Sequence, residues 1–266
     1  MPLFSLKTLR YYFILIVRAE IYYKIEAVII KMNKTKTIAI MQPYFLPYIG
    51  YWQLMNIVDE FIVYDNIKYT KKGWINRNRY LCGGEDKFFT IQLKKDSDFL
   101  DVRERELSPV FDKDKILHQI KEAYKKAPFF KPIYELFEDI ILCNEKNLFD
   151  YIFYSIKTVA KHLDIKTKII ISSHINIDHS LKSEKKVIEI CKKLEADRYI
   201  NPIGGVELYD KTEFNNYNIK LEFIKVEVIS YEQAGNLFIP FLSILDVLMF
   251  NGTDKTKKML EAYNLE

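Results

Sequence analysis

The chain has 266 residues, of which 49% are hydrophobic and 15% aromatic, and this composition predicts a packed core and argues against intrinsic disorder. Its formal net charge is +4, and residues 1–31 carry three of those four charges, so the nearly neutral body argues against a general nucleic-acid binder. Three widely separated cysteines form no CxxC pair and no even disulfide set, which favours a reducing, cytoplasmic location.

Residues 1–31 precede the predicted folded body. Their apolar run, residues 11–17, is too short to cross a membrane, and charged residues follow it directly. Met32 opens the stretch MNKTKTIAIMQPY, just before the first predicted strand. We therefore expect residues 1–31 to be an untranslated or dispensable extension, with a membrane-surface helix as the alternative. Residues 32–266 are then predicted to form a single domain without a membrane span.

The first elements of this body predict a βαβ unit. An apolar run at 36–42 predicts a buried strand, residues 48–58 predict a helix that begins after Pro47, and residues 60–65 predict a second strand. Such a unit is typical of parallel sheets. The predicted fold class is therefore α/β, with a mostly parallel sheet and flanking helices.

The rest of the chain alternates strand and helix patterns around a helical stretch. Residues 87–94 predict a strand, and residues 112–165 have apolar residues at helical spacing, which predicts an inserted helical subdomain. Further strands are predicted at 168–173, 198–202 and 217–228, and further helices at 183–196, 241–252 and 254–264.

The turn between the first strand and the first helix is a candidate ligand site. In parallel sheets, ligands bind at the carboxyl ends of strands, beside helix N-termini that attract anions. Residues 42–47 form this turn, and two prolines stiffen it. Gly50 lies in the first helical turn at a cost of about 1 kcal/mol relative to alanine. This cost indicates close approach of a ligand or, equally well, close helix–strand packing.

Residues 68–79, KYTKKGWINRNR, form what we call the basic ribbon. Cations mixed with Trp74 suit a phosphorylated ligand that carries a stackable ring, and a solvated loop is the alternative. If the ribbon is a strand, Trp74, Asn76 and Asn78 share one face. The cations are Lys68, Lys71, Lys72, Arg77 and Arg79.

Three polar groups elsewhere are weaker candidates. His174, Asp178 and His179 match no zinc signature, so hydrogen-bonded loop residues are favoured over a metal or acid–base site. The pair Gly204 and Gly205 permits close approach to a ligand or a plain turn. Within FLSILD, a serine and an aspartate predict either a helix cap or a polar pair that faces a pocket.

Two blocks, MQPYFLPYIGYWQLMNIVDEFIVYDNIKYTKKGWINRNRY and FIPFLSILDVLMFNG, together with ADRYINPIGG, resemble the WbqC-like protein family. The resemblance covers residues 36–252. It implies an enzyme of bacterial surface-polysaccharide (O-antigen) or modified-sugar biosynthesis. One role it implies is transfer of an acyl or aminoacyl group to a nucleotide-linked amino sugar.

The start of the chain is also similar in architecture to the HxGH nucleotidylyltransferases. The four motif positions here read Tyr48, Ile49, Gly50 and Tyr51, so both histidines that would steady a triphosphate are absent. This departure argues against nucleotidyl transfer. It favours a scaffold that holds a nucleotide without activating it.

We therefore predict a transferase for a phosphorylated or nucleotide-linked sugar, with no metal or other cofactor. Asp65, at a strand end, is the first candidate for general base, and Asp246 is the second. A non-catalytic nucleotide-sugar or glycan binder and a single-stranded nucleic-acid binder are the alternatives. The predicted substrate-binding residues are Gln42, Tyr44, Tyr48, Gly50, Tyr51, Lys68, Lys72, Trp74, Asn76, Arg77, Arg79, Gly204, Gly205 and Ser243.

Overall fold

A six-stranded sheet is the centre of the computed structural model, which describes residues 35–235 and 237–266. The expectation for residues 1–31 lies outside the described residues. Thr37–Glu266 forms one compact unit. The strands of this unit are β1 (Thr37–Met41), β2 (Glu60–Val63), β3 (Arg77–Cys82), β4 (Glu85–Thr90), β5 (Lys168–Ile171), β6 (Arg198–Pro202), β7 (Lys220–Val226) and β8 (Tyr263–Leu265).

The strand order of the sheet is β5-β2-β1-β6-β7-β8. All neighbours pair in parallel except β8, which lies antiparallel to β7. The predicted mostly parallel α/β fold is thus confirmed. The chain starts in the middle at β1, extends outward to β2 and β5, and then crosses to β6 and β7. The strand order therefore reverses between β1 and β6, and this reversal is the position where open parallel sheets bind ligands.

Seven α-helices are seen within the described residues. None of them has the length and apolar content that a membrane span requires. Three fall within the predicted helical stretch at 112–165. The helices are α1 (Ile49–Asn56), α2 (Lys113–Tyr124), α3 (Phe130–Leu142), α4 (Leu148–His162), α5 (Ser183–Lys193), α6 (Lys211–Asn215) and α7 (Ile244–Met259).

Helix α7 consists of two helical segments joined across a kink, which agrees with the two C-terminal helices expected from the sequence. It is interrupted at Gly252, whose φ of +67° is a left-handed conformation that other residues adopt only with strain. A Cβ at this position would also lie 2.6 Å from the Phe129 ring. Glycine alone fits both the backbone angle and the contact with Phe129. The break lies at the boundary near residue 252 that the sequence predicts.

The basic ribbon is only partly a strand. Residues 77–82 form β3, which pairs antiparallel with β4 in a separate two-stranded hairpin, whereas Trp74 lies in the turn before it. Trp74 stacks on Phe88 of β4, with ring centroids 6.1 Å apart. The short strand β8 was not expected from the sequence.

The central strands are buried on both faces of the sheet. Ala39 and Phe61 belong to the core that contains α1, and Ile40 and Ile62 belong to the core that contains α5. Successive side chains of a strand point to opposite faces of the sheet, so one short apolar run contributes residues to both cores. Helices α1 and α5 are consequently fixed on opposite faces of the sheet.

Candidate substrate-binding site

A cavity of about 940 Å³ lies at the carboxyl ends of β1 and β6. Met41 and Pro202 mark the two strand ends, and Ser183 and Lys186 contribute the first turn of α5. We call it the switch-point cavity because it lies where the strand order reverses. Its size and position are typical of sites for small molecules.

The lining of the switch-point cavity carries an excess of positive charge. Lys68, Lys182 and Lys186 line it, and Asp101 is the one carboxylate among its lining residues. Tyrosines, including Tyr64 and Tyr209, supply much of the remaining wall. An anionic ligand with an apolar or aromatic portion fits such a wall.

Helix α5 begins at this cavity without a side-chain cap. Its N-cap residue, Lys182, accepts no hydrogen bond through its side chain, and the same is true of Tyr48 at the start of α1. Helix α3 also lacks a side-chain cap. The other helices are capped by Asp112, Asn147, Asp210 and Ser243. The free N–H groups and partial positive charge of α5 add to the attraction for an anion.

Lys186 is a buried cation on the cavity wall, with only 3% of its surface exposed. Its Nζ donates a hydrogen bond to the His179 carbonyl at 3.3 Å and lies 4.8 Å from the centre of the Tyr64 ring. Among the described residues, no carboxylate oxygen lies within 4.0 Å of this Nζ. Burial lowers the pKa of Lys186, whereas the more distant Asp101 and Asp65 raise it. The described residues thus leave this ammonium without an ion pair, and a bound anion would supply one.

Asp101 reaches the cavity because two loops pair beside it. Lys68 and Asp101 form an antiparallel bridge, which is continued by the Val102 N–H donating to the Ile67 carbonyl at 2.9 Å. Burial raises the pKa of the Asp101 carboxyl, Glu104 raises it further, and Arg103 opposes them. A carboxylate with a raised pKa is a stronger proton acceptor, as a general base requires.

His179 also lines the cavity, but both of its ring nitrogens are engaged. Nε2 lies 2.9 Å from the Ile175 carbonyl, which can only accept, so Nε2 carries the hydrogen. Nδ1 then accepts from the Asn66 amide at 2.8 Å, and the Oδ1 of Asn66 accepts from Ser172. His179 therefore forms part of the cavity wall through its hydrogen bonds to Ile175 and Asn66.

The neighbouring His174 and Asp178 are exposed, and Asp178 accepts from the backbone and hydroxyl of Ser180. Within residues 35–235 and 237–266, no group of three or more His, Cys, Asp or Glu side chains is arranged to hold a metal ion. For Asp178 and His179, the geometry favours the hydrogen-bonded loop interpretation.

Gly204 and Gly205 line the switch-point cavity directly after β6. A Cβ on Gly204 would meet open space, whereas a Cβ on Gly205 would lie 2.1 Å from the Nδ2 of Asn201. Gly205 is thus required by the protein itself, because it leaves room for the Asn201 side chain on the cavity wall.

A second, smaller cavity of about 250 Å³ adjoins the first. Tyr44 and Tyr48 line both cavities. The rest of its wall comes from Pro47 in the first turn, from the basic ribbon and from Phe241. We call it the aromatic pocket, and the turn at 42–47 and the ribbon residue Trp74 border it together. Its lining residues are Tyr44, Pro47, Tyr48, Trp74, Asn78, Arg79 and Phe241.

Few cations of the basic ribbon are available to a ligand. Lys72 lies outside the lining of both cavities, and so does Arg77, whose guanidinium donates to the carbonyls of Gly73 and Lys72. Arg79 lines the aromatic pocket but donates to the carbonyls of Pro240 and Phe241, each at 3.2 Å. Lys68 is the ribbon cation that lines the switch-point cavity.

Two residues of α1 position residues of the cavity walls without lining either cavity themselves. Tyr51 is buried and donates to the Gln42 carbonyl at 3.2 Å, while Gln42 itself lines the switch-point cavity. A Cβ on Gly50 would lie 2.5 Å from the Tyr48 ring and 2.7 Å from Val226. The glycine therefore permits packing of helix against strand and lets Tyr48 form the wall between the two cavities.

Two further predicted binding residues hold loops together. Ser243 caps α7, and its hydroxyl donates to the Leu46 carbonyl at 2.8 Å. Asn76 accepts from the Tyr69 hydroxyl and donates to the Ile91 carbonyl. Neither lines the two cavities, and both side chains are buried. Their polar groups satisfy the backbone of the turn and the ribbon.

The two candidate bases also lie outside both cavities. Asp65 is 2% exposed, and its carboxylate accepts from the Ser173 N–H at 2.8 Å. Asp246 is fully buried and accepts from Tyr124 and Tyr231, both at 2.7 Å, and from Gln233 at 2.8 Å. Burial raises the pKa of Asp246, and these three hydrogen bonds oppose that effect. This geometry favours structural roles for both carboxylates.

Residues 42–258 match the WbqC-like protein family, and the chain belongs to this family. It is also similar to an uncharacterised protein, Rv1507c, of Mycobacterium tuberculosis strain H37Rv. That protein is 27% identical over 232 residues, which cover 82% of this chain and 95% of the relative. No solved structure gives a significant match.

Sequence reasoning missed Asp101 and Lys186, the two ionisable residues that the geometry favours most. Asp101 is the N-cap of a short 3-10 helix, Val102–Glu104, where no periodicity marks it. Lys186 did leave a signal, because it precedes Val187 and lies four residues before Ile190 on the apolar stripe of α5. A lysine on the buried stripe of an amphipathic helix is unusual and points to a partner.

Proposed function

We propose that the protein is a transferase that binds a phosphorylated or nucleotide-linked sugar in the switch-point cavity and passes an acyl or aminoacyl group to it. The observation that carries this proposal is the buried ammonium of Lys186, which has no carboxylate partner among the described residues and lies at the uncapped start of α5. Phosphate oxygens are the ligand groups that best match a desolvated cation beside free helix N–H groups.

In this proposal the phosphate groups lie against Lys186, Lys182 and the first N–H groups of α5. The sugar and any base lie against the tyrosine-rich wall that includes Tyr64 and Tyr209. Membership of the WbqC-like family supports a role in surface-polysaccharide or modified-sugar biosynthesis, as the sequence resemblance implies.

The proposed reaction joins an amine of the sugar to an activated acyl donor such as a thioester. The amine nitrogen attacks the carbonyl carbon, a C–N bond forms, and the C–S bond breaks. Asp101 accepts the proton that the nitrogen loses, and this proton then passes to the departing thiolate. Asp101 replaces Asp65 and Asp246 as the proposed base because it is the carboxylate that lines the cavity.

Calorimetric titration of the full chain tests the binding step. UDP and UDP-N-acetylglucosamine are expected to bind at least tenfold more tightly than uridine and N-acetylglucosamine, because the phosphates contribute charge-assisted hydrogen bonds. Lys186→Met should weaken UDP binding at least tenfold. Its matched control, Lys185→Met, makes the same charge change at an exposed position on the same helix and should leave the affinity within twofold. Equal binding of uridine and UDP would refute the phosphate role.

Turnover separates an enzyme from a non-catalytic binder. With a UDP-linked amino sugar and an acyl thioester, Asp101→Asn should lower the rate of amide formation by about 10²–10⁴-fold while UDP affinity stays within a few-fold. If the wild-type protein binds the sugar nucleotide and forms no amide with any thioester, the binding-protein alternative holds.

A further inference from the structure

The aromatic pocket lies beside the switch-point cavity, and two shared tyrosines form the boundary. We propose that it holds the apolar acyl group of the donor, a substrate class that excludes a charged aminoacyl group. This inference rests on the proposed transfer reaction and assigns the second substrate of the same site. A transferase needs two substrates side by side, and a charged cavity joined to an apolar pocket provides places of opposite character for them.

The Asn78 amide and the Pro47 carbonyl, which lie on the pocket wall, are already engaged by the protein. The Asn78 amide donates to the carbonyls of Phe45 and Leu46 and accepts from the Arg79 N–H. The Pro47 carbonyl accepts from the Trp52 indole at 3.1 Å and from a backbone N–H of α7. A nucleobase needs hydrogen-bond partners at its edges, and leaving them unpaired in a pocket is costly. An alkyl or aryl group has no such requirement.

Charge also favours an apolar group over an ammonium. Aromatic rings attract cations, so Tyr48, Trp74 and Phe241 alone would accept an α-ammonium group. The pocket already contains the guanidinium of Arg79, whose centre lies 5.9 Å from that of the Trp74 ring. This guanidinium is ion-paired with Asp86 at 3.2 Å, so the Trp74 ring already has a cation beside it that the protein itself supplies. The volume of about 250 Å³ suits part of a molecule instead of a whole ligand.

The boundary tyrosines suit the reacting carbonyl. The hydroxyls of Tyr44 and Tyr48 make no hydrogen bond within the part of the chain that the structure describes. Burial raises the pKa of both phenols, so both remain protonated donors at neutral pH. With the acyl chain in the aromatic pocket, its carbonyl lies at the boundary, where these hydroxyls can stabilise the developing negative charge on oxygen.

Thioesters of N-acetylcysteamine with acetyl, propionyl, butanoyl, pentanoyl and hexanoyl groups test the assignment on the full chain. Of the two tryptophans, Trp52 is fully buried and Trp74 is 42% exposed, so acrylamide quenching of fluorescence reports on the pocket. We expect the affinity to rise about fourfold per methylene group until the pocket is full. The propionyl thioester should bind at least tenfold more tightly than the isosteric glycyl thioester.

Two variants make the test specific. Phe241→Ala should flatten the dependence of affinity on chain length and keeps the Trp74 reporter. Tyr217→Ala removes an aromatic side chain of similar exposure away from the pocket and should preserve that dependence. A flat series for the wild-type protein, or tighter binding of the glycyl thioester, overturns the inference.

Lys186→Met separates this inference from the proposed function. The variant should weaken UDP binding and leave the thioester series unchanged, because Lys186 does not line the aromatic pocket. Loss of the chain-length dependence with normal UDP binding refutes the acyl pocket alone. Normal chain-length dependence without any phosphate-dependent binding refutes the proposed function alone.

Discussion

Asp246 and Lys186 are both buried ionisable residues, and the protein treats them in opposite ways. Asp246 accepts hydrogen bonds from three side chains on other segments, at 2.7–2.8 Å, so its charge is compensated within the chain. Lys186 donates one hydrogen bond of 3.3 Å to a carbonyl and has no carboxylate within 4.0 Å among the described residues. The partners of Asp246 are side chains of the protein, whereas Lys186 lies on the wall of the switch-point cavity.

The presence or absence of partners within the protein distinguishes buried polar residues that stabilise the fold from those that bind a ligand. A satisfied buried network stabilises the protein and specifies its packing. A buried charge without a partner lowers stability, and proteins retain such charges where function requires them. Removal of the ionisable side chain should therefore lower stability in the first class and raise it in the second.

The largest effect is expected at the satisfied network. Asp246→Ala leaves the buried hydroxyls of Tyr124 and Tyr231 and the amide of Gln233 without their acceptor, which should lower the free energy of unfolding by about 3 kcal/mol or more. Urea denaturation measures this loss. Asp254→Ala, at an exposed position on the same helix, should stay within about 0.5 kcal/mol. Similar values for both variants would remove the contrast.

The wall between the two cavities should give an intermediate effect. In Gly50→Ala, the new Cβ conflicts with the Tyr48 ring and Val226, so we expect a loss of about 1–3 kcal/mol of unfolding free energy. Displacement of Tyr48 should also weaken binding of both UDP and the hexanoyl thioester. Gly83→Ala is a useful comparison, since its Cβ meets no atom within 4 Å and only its φ of +66° is unfavourable. If Gly50→Ala changes neither affinity, Tyr48 does not form part of the site.

Lys186→Met should stabilise the protein, by about 1 kcal/mol at pH 7, because a buried cation with no ion pair among residues 35–235 and 237–266 is replaced by an apolar side chain of similar length. Thermal and urea denaturation measure the gain. The sign with pH follows from the lowered pKa of Lys186: between its folded-state pKa and the ordinary value of 10.5, Lys186 binds more protons in the unfolded chain, so its contribution to stability rises with pH in that window. The variant should lack this rise. Destabilisation by Lys186→Met at pH 7 would place Lys186 in the same class as Asp246.

The smallest effect is expected at an exposed cation. Lys72 lies outside both cavities, and water already solvates its ammonium group. Lys72→Met should change the free energy of unfolding by less than about 0.5 kcal/mol and the affinity for UDP by less than twofold. A tenfold loss of UDP affinity in this variant would show that the ribbon binds phosphate outside the cavities described above.

The fold was predictable because local hydrophobic patterns mark most of its strands and helices. Short apolar runs such as residues 36–42 and the helical spacing at 112–165 correspond to β1 and to three helices. The interruption near residue 252 was also marked by a glycine. Strand β8 was not predicted because it is only three residues long and its pairing with β7 depends on contacts across the sheet. Such contacts leave no pattern in so short a segment.

The site was less predictable because its charges depend on three-dimensional neighbours. The sequence shows that Arg77 and Arg79 are cations, but it does not show that nearby carbonyl groups engage both guanidinium groups. The sequence likewise shows Asp65 at a strand end, whereas the carboxylate on the cavity wall is Asp101, brought there by pairing of two loops. Composition and spacing locate the turn at 42–47 and cannot assign its hydrogen bonds.

The pairing of β5 with β2 has a kinetic consequence. The ion pair between Lys168 and Glu60 joins residues that are 108 positions apart in sequence, and the hairpin and three helices lie within the loop that it closes. Closing so long a loop is entropically unfavourable until the intervening segments are compact. We therefore expect the edge strand to dock late in refolding, after the helices have formed, so that folding of the unit Thr37–Glu266 is slow.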